Sequence, residues 1–199
     1  NKYSNLLNEN ESKNFKDNLK IINNQIKQIE KLVNEFSDFA RMPKPIFLKN
    51  NLIILINENI QLLQELDNSI KINFFNDTQP IMFDSDKEQL SRVFFNLLKN
   101  SIESIHQKIE KDSNNDKKIT VELIDHNDHI MLIIVDSGIG FGELKSDFKN
   151  IMNPYFTTKK NGTGLGLSIV NKIINDHNGK INFITIANGA KIEVTFSKK

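Results

Sequence analysis

The stretch with the clearest potential for chemistry is NGTGLGLSIV, residues Asn161–Val170. Three glycines, Gly162, Gly164 and Gly166, stand at every second position and lead directly into an amphipathic helix pattern. Glycines allow backbone N–H groups to approach an anion, and the start of a helix adds unpaired N–H groups and a positive dipole end. The pattern favours a phosphate-binding loop, with a flexible loop that caps a helix as the alternative.

The spacing excludes two common phosphate loops. A dinucleotide-binding loop needs G-x-G-x-x-G after a buried strand, but Leu167 occupies the place of the third glycine and the preceding PYFTTKKN is polar. A Walker loop needs Gly-Lys followed by Ser or Thr, which this stretch lacks. A phosphate loop here must therefore be of another type.

The segment DSGIG, Asp136–Gly140, places a carboxylate at the end of the apolar strand pattern Ile130–Val135. A buried Asp136 would accept a hydrogen bond from an exocyclic amine, such as the one that separates adenine from guanine. Gly138 and Gly140 would let a purine ring lie against the backbone. A turn that simply ends a strand would use the same residue types.

A third polar group lies upstream on one predicted helix face. Asn96 and Asn100 are spaced i, i+4, and Glu103 follows one turn later. Amide and carboxylate oxygens suit Mg²⁺, which takes few protein ligands and shares its coordination with substrate phosphates. Neutral amides also add no charge beside an anionic triphosphate. In this Asn-rich chain, solvated surface is the alternative.

Alternating helix and strand patterns must position these residues. Helices are predicted over Leu48–Leu66, from the cap residues Asp84-Ser85-Asp86 to Ile105, and over Leu165–Asp176, and strands over Ile70–Phe75, Ile119–Ile124, Ile130–Val135, Lys180–Ile186 and Lys191–Phe196. Because the strands come mainly as hairpins, the pattern favours an α+β fold, a two-layer α/β sandwich, over a doubly wound parallel sheet.

The N-terminal segment has a different period. Its apolar residues recur at alternating intervals of four and three: Phe15, Leu19, Ile22, Ile26, Ile29, Val33, Phe36 and Ala40. This 3.5-residue repeat predicts a long helix that pairs with other helices, as in a dimerisation bundle, or else packs on the domain behind it. Pro43 and Pro45 end the helix. The predicted domains are therefore residues 1–46 and 47–199.

Composition excludes several classes of protein. Lys and Arg number 26 against 25 Asp and Glu, so the net charge of +1 favours neither nucleic acid nor membrane binding by this segment. The absence of cysteine excludes disulfides and thiolate chemistry. No apolar run approaches the roughly 20 residues of a membrane helix. Since the first residue is Asn, we expect a fragment of a longer protein.

Four segments, in this order, resemble the N, G1, F and G2 boxes of the Bergerat-fold (GHKL) ATPases, specifically the catalytic domain of sensor histidine kinases. They are NLLKNSIESI from Asn96, DSGIGF from Asp136, PYFTTK from Pro154 and GTGLGLSIV from Gly162. DHNGK, at Asp176–Lys180, is similar to that family's HGG element, with Asn178 replacing its first glycine. Four boxes in the correct order are a highly specific match.

The resemblance implies ATP and Mg²⁺ as ligands. It implies ATP contacts by Asn100, Asp136, Gly138, Gly140, Phe156, Thr158, Gly162, Thr163, Gly164, Leu165 and Gly166. It implies metal binding by Asn96 and Asn100, and catalytic roles for Asn96, Asn100, Glu103 and Lys159. Residues 141–161 would form a short lid in which Lys159 and Lys160 meet the γ-phosphate, with a solvated lysine pair as the alternative.

The segment EFSDFARMPKP, Glu35–Pro45, is similar to the second dimerisation helix and exit of NtrY-type nitrogen-regulation sensor kinases. The resemblance implies a homodimer partner, an NtrX-type response regulator and a cytoplasmic portion of an inner-membrane sensor. That family's phosphoacceptor box begins with His-Glu, but none of His106, His126, His129 and His177 precedes Glu. We therefore expect a protein-histidine kinase fragment that lacks its phosphoacceptor helix and does not autophosphorylate alone.

The predicted reaction is transfer of the ATP γ-phosphoryl group to a histidine on the missing helix. Three alternatives share the nucleotide boxes. They are an anti-sigma serine kinase, a gyrase- or Hsp90-like ATPase, and a signalling scaffold that binds nucleotide without kinase activity.

Overall fold

The computed structural model describes residues 9–76, 79–110, 116–141, 148–159 and 162–198. Of the predicted lid, residues 142–147, Lys160 and Asn161 lie outside the described residues. The chain divides into two compact units. The first combines Asn1–Met42 with Thr157–Thr163, and the second combines Pro43–Phe156 with Gly164–Lys199.

The first unit is built on α1, Glu9–Ala40, so the predicted N-terminal helix is confirmed. Its apolar stripe is exposed in this chain. The following side chains are each more than two-fifths exposed: Phe15, Leu19, Ile22, Ile26, Ile29, Val33 and Phe36. Burial of each such side chain contributes about 1.5–3 kcal/mol. Packing of this stripe against another helix would therefore be favourable.

The second unit is a two-layer α+β sandwich, as predicted. Its strands are β1 (Leu48–Asn51), β2 (Lys71–Asn76), β3 (Met82–Ser85), β4 (Lys118–Asp125), β5 (His129–Asp136), β6 (Gly179–Ile186) and β7 (Gly189–Ser197). Its helices are α2 (Leu52–Leu66), α3 (Lys87–Ile109), α4 (Phe148–Ile151) and α5 (Gly166–Asp176). Among the described residues, the main sheet has the order β2-β4-β5-β7-β6, and α2, α3 and α5 pack on it and on one another.

The core forms where the helices meet the sheet. The inward residues of β5, Ile130, Leu132 and Ile134, alternate with less buried neighbours, as period-two strands require. Helix α3 buries Leu90, Val93, Phe94, Leu97, Leu98, Ile102 and Ile105. The predicted hairpins β4–β5 and β6–β7 are present, and β2 joins the sheet parallel to β4. Parallel pairing of β2 needs a crossover, and α3 lies within it.

Two local predictions were wrong at the start of this unit. The helix does not begin at Leu48, because residues 48–51 form β1 and Asn51 caps α2 through the Ile53 N–H. Asp84 and Ser85 do not cap α3, because both lie in β3; Asp86 alone is the cap, accepting from Gln89 N at 3.0 Å. β1 and β3 form because they pair with each other. The residues of neither segment alone predict this pairing.

Candidate functional site

Asp136 is the last residue of β5 and is only 4% exposed. Its Oδ1 accepts a hydrogen bond from the Gly138 N–H at 2.9 Å. Burial raises the pKa of the Asp136 carboxyl, and the Gly138 N–H and the Ser101 hydroxyl partly oppose that rise. The carboxyl is thus a buried acceptor group held in place at a strand end.

The DSGIG loop is fastened to α3. A Cβ on Gly138 would lie 2.2 Å from Ser104 Oγ, so the two segments touch without room for a side chain. The Ile139 N–H donates to Ser104 Oγ at 3.1 Å, and Lys108 Nζ donates to the Ser137 carbonyl at 2.8 Å. These contacts fix Asp136 relative to the helix that carries Asn96 and Asn100.

Ser104 and Lys108 were missed by sequence reasoning, although a signal was present. Asn96, Asn100, Ser104 and Lys108 continue one series at i+4 intervals. Asn96 and Asn100 are the predicted metal ligands. Ser104 and Lys108 form hydrogen bonds with the DSGIG loop that contains Asp136. One helix face therefore serves both ends of the site.

Ser101 was also missed, and it lies beside Asp136. It is 2% exposed, and its hydroxyl lies close enough to the Asp136 carboxyl to help lower the pKa of that group. A hydroxyl has one donor and two acceptor lone pairs, so Ser101 has capacity for a further hydrogen bond to a polar ligand beside Asp136. The surroundings of Asp136 thus contain a second polar group suited to a purine edge.

Asn96, Asn100 and Glu103 are half-buried on α3. Asn96 Nδ2 donates to the Arg92 carbonyl at 2.8 Å, and its Oδ1 would lie 3.5 Å from a Cβ placed on Gly166. The amide oxygen is therefore beside the first residue of α5. The described residues contain no group of three His, Asp or Glu that could hold a metal. Amide oxygens such as those of Asn96 and Asn100 are among the ligands that suit Mg²⁺.

The start of α5 has the backbone of an anion site. Gly164 has φ of +71° and its carbonyl accepts from the Tyr155 N–H at 3.1 Å. Leu165 is the N-cap of the helix and makes no side-chain cap hydrogen bond, and the first N–H groups of a helix have no partner within the helix itself. Phe156 is half-buried, with its N–H donating to the Asn153 carbonyl at 3.2 Å. Gly140 has φ of +68° and packs on the Gly189 carbonyl.

The remaining predicted ATP contacts belong to the first unit. Thr158, Lys159, Gly162 and Thr163 group there with α1. The Gly162 N–H donates to the Lys159 carbonyl at 3.1 Å, and the Thr163 hydroxyl donates to the Glu35 carboxylate. Within the second unit, the structure brings Asp136 to Gly138 and Asn96 to Gly166.

Residues 85–199 match the family model of the histidine kinase-, DNA gyrase B-, and HSP90-like ATPases. This chain belongs to that ATPase family. An NtrY-like sensor histidine kinase of Rickettsia felis is 34% identical over 194 residues, covering 95% of this chain and 30% of the relative. This chain thus spans about 30% of the length of the curated relatives that it matches first.

Solved structures agree with this assignment of the ATPase domain. The catalytic domain of histidine kinase ThkA is 32% identical, with a TM-score of 0.65, covering 77% of this chain and 96% of that one. ThkA in complex with the response regulator protein TrrA has a TM-score of 0.72 at 26% identity, covering all of this chain (100%) and 55% of that one.

The predicted histidine kinase ATPase domain, with NtrY-like relatives, is therefore confirmed, and the anti-sigma serine kinase alternative is not favoured. The family description makes ATP the nucleotide of this domain. Within the described ranges, none of the helices has both the length and the apolar character that a membrane crossing requires.

Proposed function

We propose that this ATPase domain transfers the γ-phosphoryl group of ATP to a histidine imidazole on a dimerisation helix, for relay to a response regulator. The observation that carries the proposal is the placement of Asp136 by α3. The same helix holds Asp136 through the DSGIG loop and presents Asn96 beside the start of α5. A purine end and a phosphate end are thus joined by one rigid element.

At the purine end, Asp136 accepts a hydrogen bond from the adenine amine and Ser101 adds a hydroxyl to the same polar edge. Two features of the structure support this assignment. The Asp136 carboxylate has few ways to be solvated by water, since it is 4% exposed. Gly138 and Gly140 let the DSGIG loop pack directly on Ser104 and on the Gly189 carbonyl, which holds the loop backbone beside Asp136.

At the phosphate end, Asn96 and Asn100 hold Mg²⁺, and the N–H groups at the start of α5 bind phosphate oxygens. The metal supplies neutralisation of the charge that the triphosphate carries during transfer. Lys159 adds a cation from the lid, with Gly162, Thr163, Gly164 and Gly166 supplying backbone. Glu103 is an accessory hydrogen-bond acceptor. The neutral imidazole nitrogen is itself nucleophilic, so this chain needs no strong base.

The names of the relatives and the exposed apolar stripe of α1 support the proposed partners. Residues 1–46 act as the second helix and exit of a homodimeric bundle whose first helix bears the histidine, and residues 47–199 are the catalytic domain. ThkA has been seen with a response regulator. We infer a response regulator of the NtrX type here, and a cytoplasmic place for this segment in an inner-membrane sensor.

The test is calorimetric titration with a MgATP analogue, followed by transfer of labelled phosphate to an added domain that bears the missing helix. Binding with transfer supports the proposal. Binding without transfer would favour a nucleotide-binding scaffold instead. Absence of nucleotide binding would refute the assignment of the site.

Gly164→Ala is expected to weaken binding of the MgATP analogue about tenfold. Its φ of +71° strains any side chain, and the new Cβ would lie 2.4 Å from the Tyr155 carbonyl carbon. The backbone must move, which displaces the N–H groups at the start of α5. Gly179→Ala is the comparison, because it also crowds a backbone carbonyl, with its Cβ 2.8 Å from the Thr195 oxygen, but lies beyond the other end of α5 from Gly164. Equal calorimetric affinities for the two variants would contradict the prediction.

A further inference from the structure

His177 is a buried polar residue that the proposed reaction does not use. It is 1% exposed and lies directly after α5. Its Nδ1 is 2.8 Å from the Ile173 carbonyl, and the Asp86 N–H donates to its Nε2 at 3.0 Å. Because a carbonyl only accepts and a backbone N–H only donates, the proton resides on Nδ1 and the ring is neutral. Both ring nitrogens are thus committed to specific backbone partners.

These two hydrogen bonds join the end of α5 to the start of α3. Ile173 lies in the last turn of α5, and Asp86 is the N-cap of α3. At the other end of the same helix pair, Gly166 begins α5 beside Asn96 of α3. The two helices therefore run antiparallel, with His177 at one end and the proposed phosphate and metal groups at the other.

The neighbours of His177 make this junction stiff. Asp86 accepts from the Gln89 N–H through Oδ1 and from the Ile46 N–H through Oδ2, at 3.0 and 2.9 Å. The Phe47 ring meets the His177 ring edge-on, with centroids 5.1 Å apart. Burial lowers the pKa of His177, although Asp86 and Asp176 oppose this, so the neutral bridging form is the one that the fold favours.

We propose that His177 is a positioning residue that sets how far α5 slides along α3, and through this the distance from the start of α5 to Asn96. The proposal rests on the proposed function, since that distance matters only if phosphates and a metal bind there. A helix pair packed through apolar side chains alone tolerates small shifts along its axis. The hydrogen bond from the Asp86 N–H to Nε2 does not tolerate them, because a shift of about 1 Å breaks it, while the Ile173 carbonyl holds the ring in place on α5.

The test uses His177→Phe, which retains an aromatic ring against Phe47 but loses both hydrogen bonds. Affinity is measured for a MgATP analogue by calorimetry and for adenosine by NMR titration, well below the melting temperature. The MgATP analogue is expected to bind about tenfold more weakly, because misplacement of the phosphate end by about 1 Å is costly. Adenosine is expected to bind within about twofold of wild type, because Asp136 is held by its sheet neighbours and by the contacts of the DSGIG loop with α3, and not by α5.

His177→Asn is the second variant, for use if His177→Phe does not fold. Its amide can reach the Ile173 carbonyl but not the Asp86 N–H, so an intermediate loss is expected for the MgATP analogue. His126→Phe is the control, because His126 is exposed in the β4–β5 turn. Equal losses for both ligands, or unchanged affinity for the MgATP analogue, would overturn the proposal. Failure of wild type to bind either ligand would overturn the proposed function as well.

Discussion

Asp136→Asn is expected to weaken binding of an ATP analogue by about tenfold to hundredfold, since hydrogen bonds to charged groups contribute about 1.5–3 kcal/mol. The Gly138 N–H already donates to Oδ1, so an amide at this position retains its oxygen there. The amide nitrogen then replaces the other carboxylate oxygen and meets the adenine amine, donor against donor. Calorimetry with ATP and ITP analogues measures the effect.

The ITP arm makes this prediction specific. ITP carries a carbonyl where ATP carries an amine, so Asp136→Asn is expected to retain or gain affinity for ITP while losing it for ATP. Asp84→Asn is the control, because it removes the same charge at an exposed position in β3. Unchanged affinity of Asp136→Asn for the ATP analogue would contradict the role assigned to Asp136.

Asp136→Asn is expected to lower nucleotide affinity without lowering the stability of the folded chain. Burial raises the pKa of Asp136 in the folded chain, so ionisation of this carboxyl at neutral pH disfavours the folded state. Its contribution to stability is present at low pH and is lost as pH rises through the folded-state pKa. A neutral amide removes that penalty, so the melting temperature of the nucleotide-free variant at pH 7 should not fall below that of wild type.

Asn100→Ala is expected to reduce phosphoryl transfer to an added histidine-bearing domain by about hundredfold at low Mg²⁺. Loss of one ligand or its support costs about 10–100-fold in metal affinity, and the metal neutralises charge during transfer. Measuring the transfer rate across a Mg²⁺ titration should show the midpoint moving to higher concentration. Asn175→Ala is the control, because Asn175 is exposed on α5 and its side chain donates a hydrogen bond to the exposed face of the same helix, at Asn171 Oδ1. An unmoved midpoint would count against metal binding by Asn100.

Much of the fold was predictable because it depends on local period and turn chemistry. The buried stripe of α3 and the alternation in β5 each reflect the repeat of one element, so the sequence pattern carries them directly. The same holds for the hairpin β6–β7, whose turn at Ala187 and Asn188 leads to Gly189 with φ of +117°. The roles of individual site residues stay predictions until the nucleotide experiments are done.

One departure from the family pattern is explained by the structure. Asn178 stands where the HGG element has its first glycine, and its φ is +54°. That left-handed conformation is open to glycine and is also adopted by asparagine more readily than by most residues. The turn between α5 and β6 is therefore retained despite the substitution.

The sequence by itself determined the family, the order of the boxes and the helix that carries Asn96 and Asn100. Each of these depends on a pattern of residues that lie close together in the chain. Only the tertiary structure decided that β1 pairs with β3, that Ser101 and Lys108 serve Asp136, and that His177 joins α5 to α3. These contacts link residues as far as 91 positions apart in the chain. Hydrogen-bond partners at that separation are set by how the layers pack, which no local period encodes.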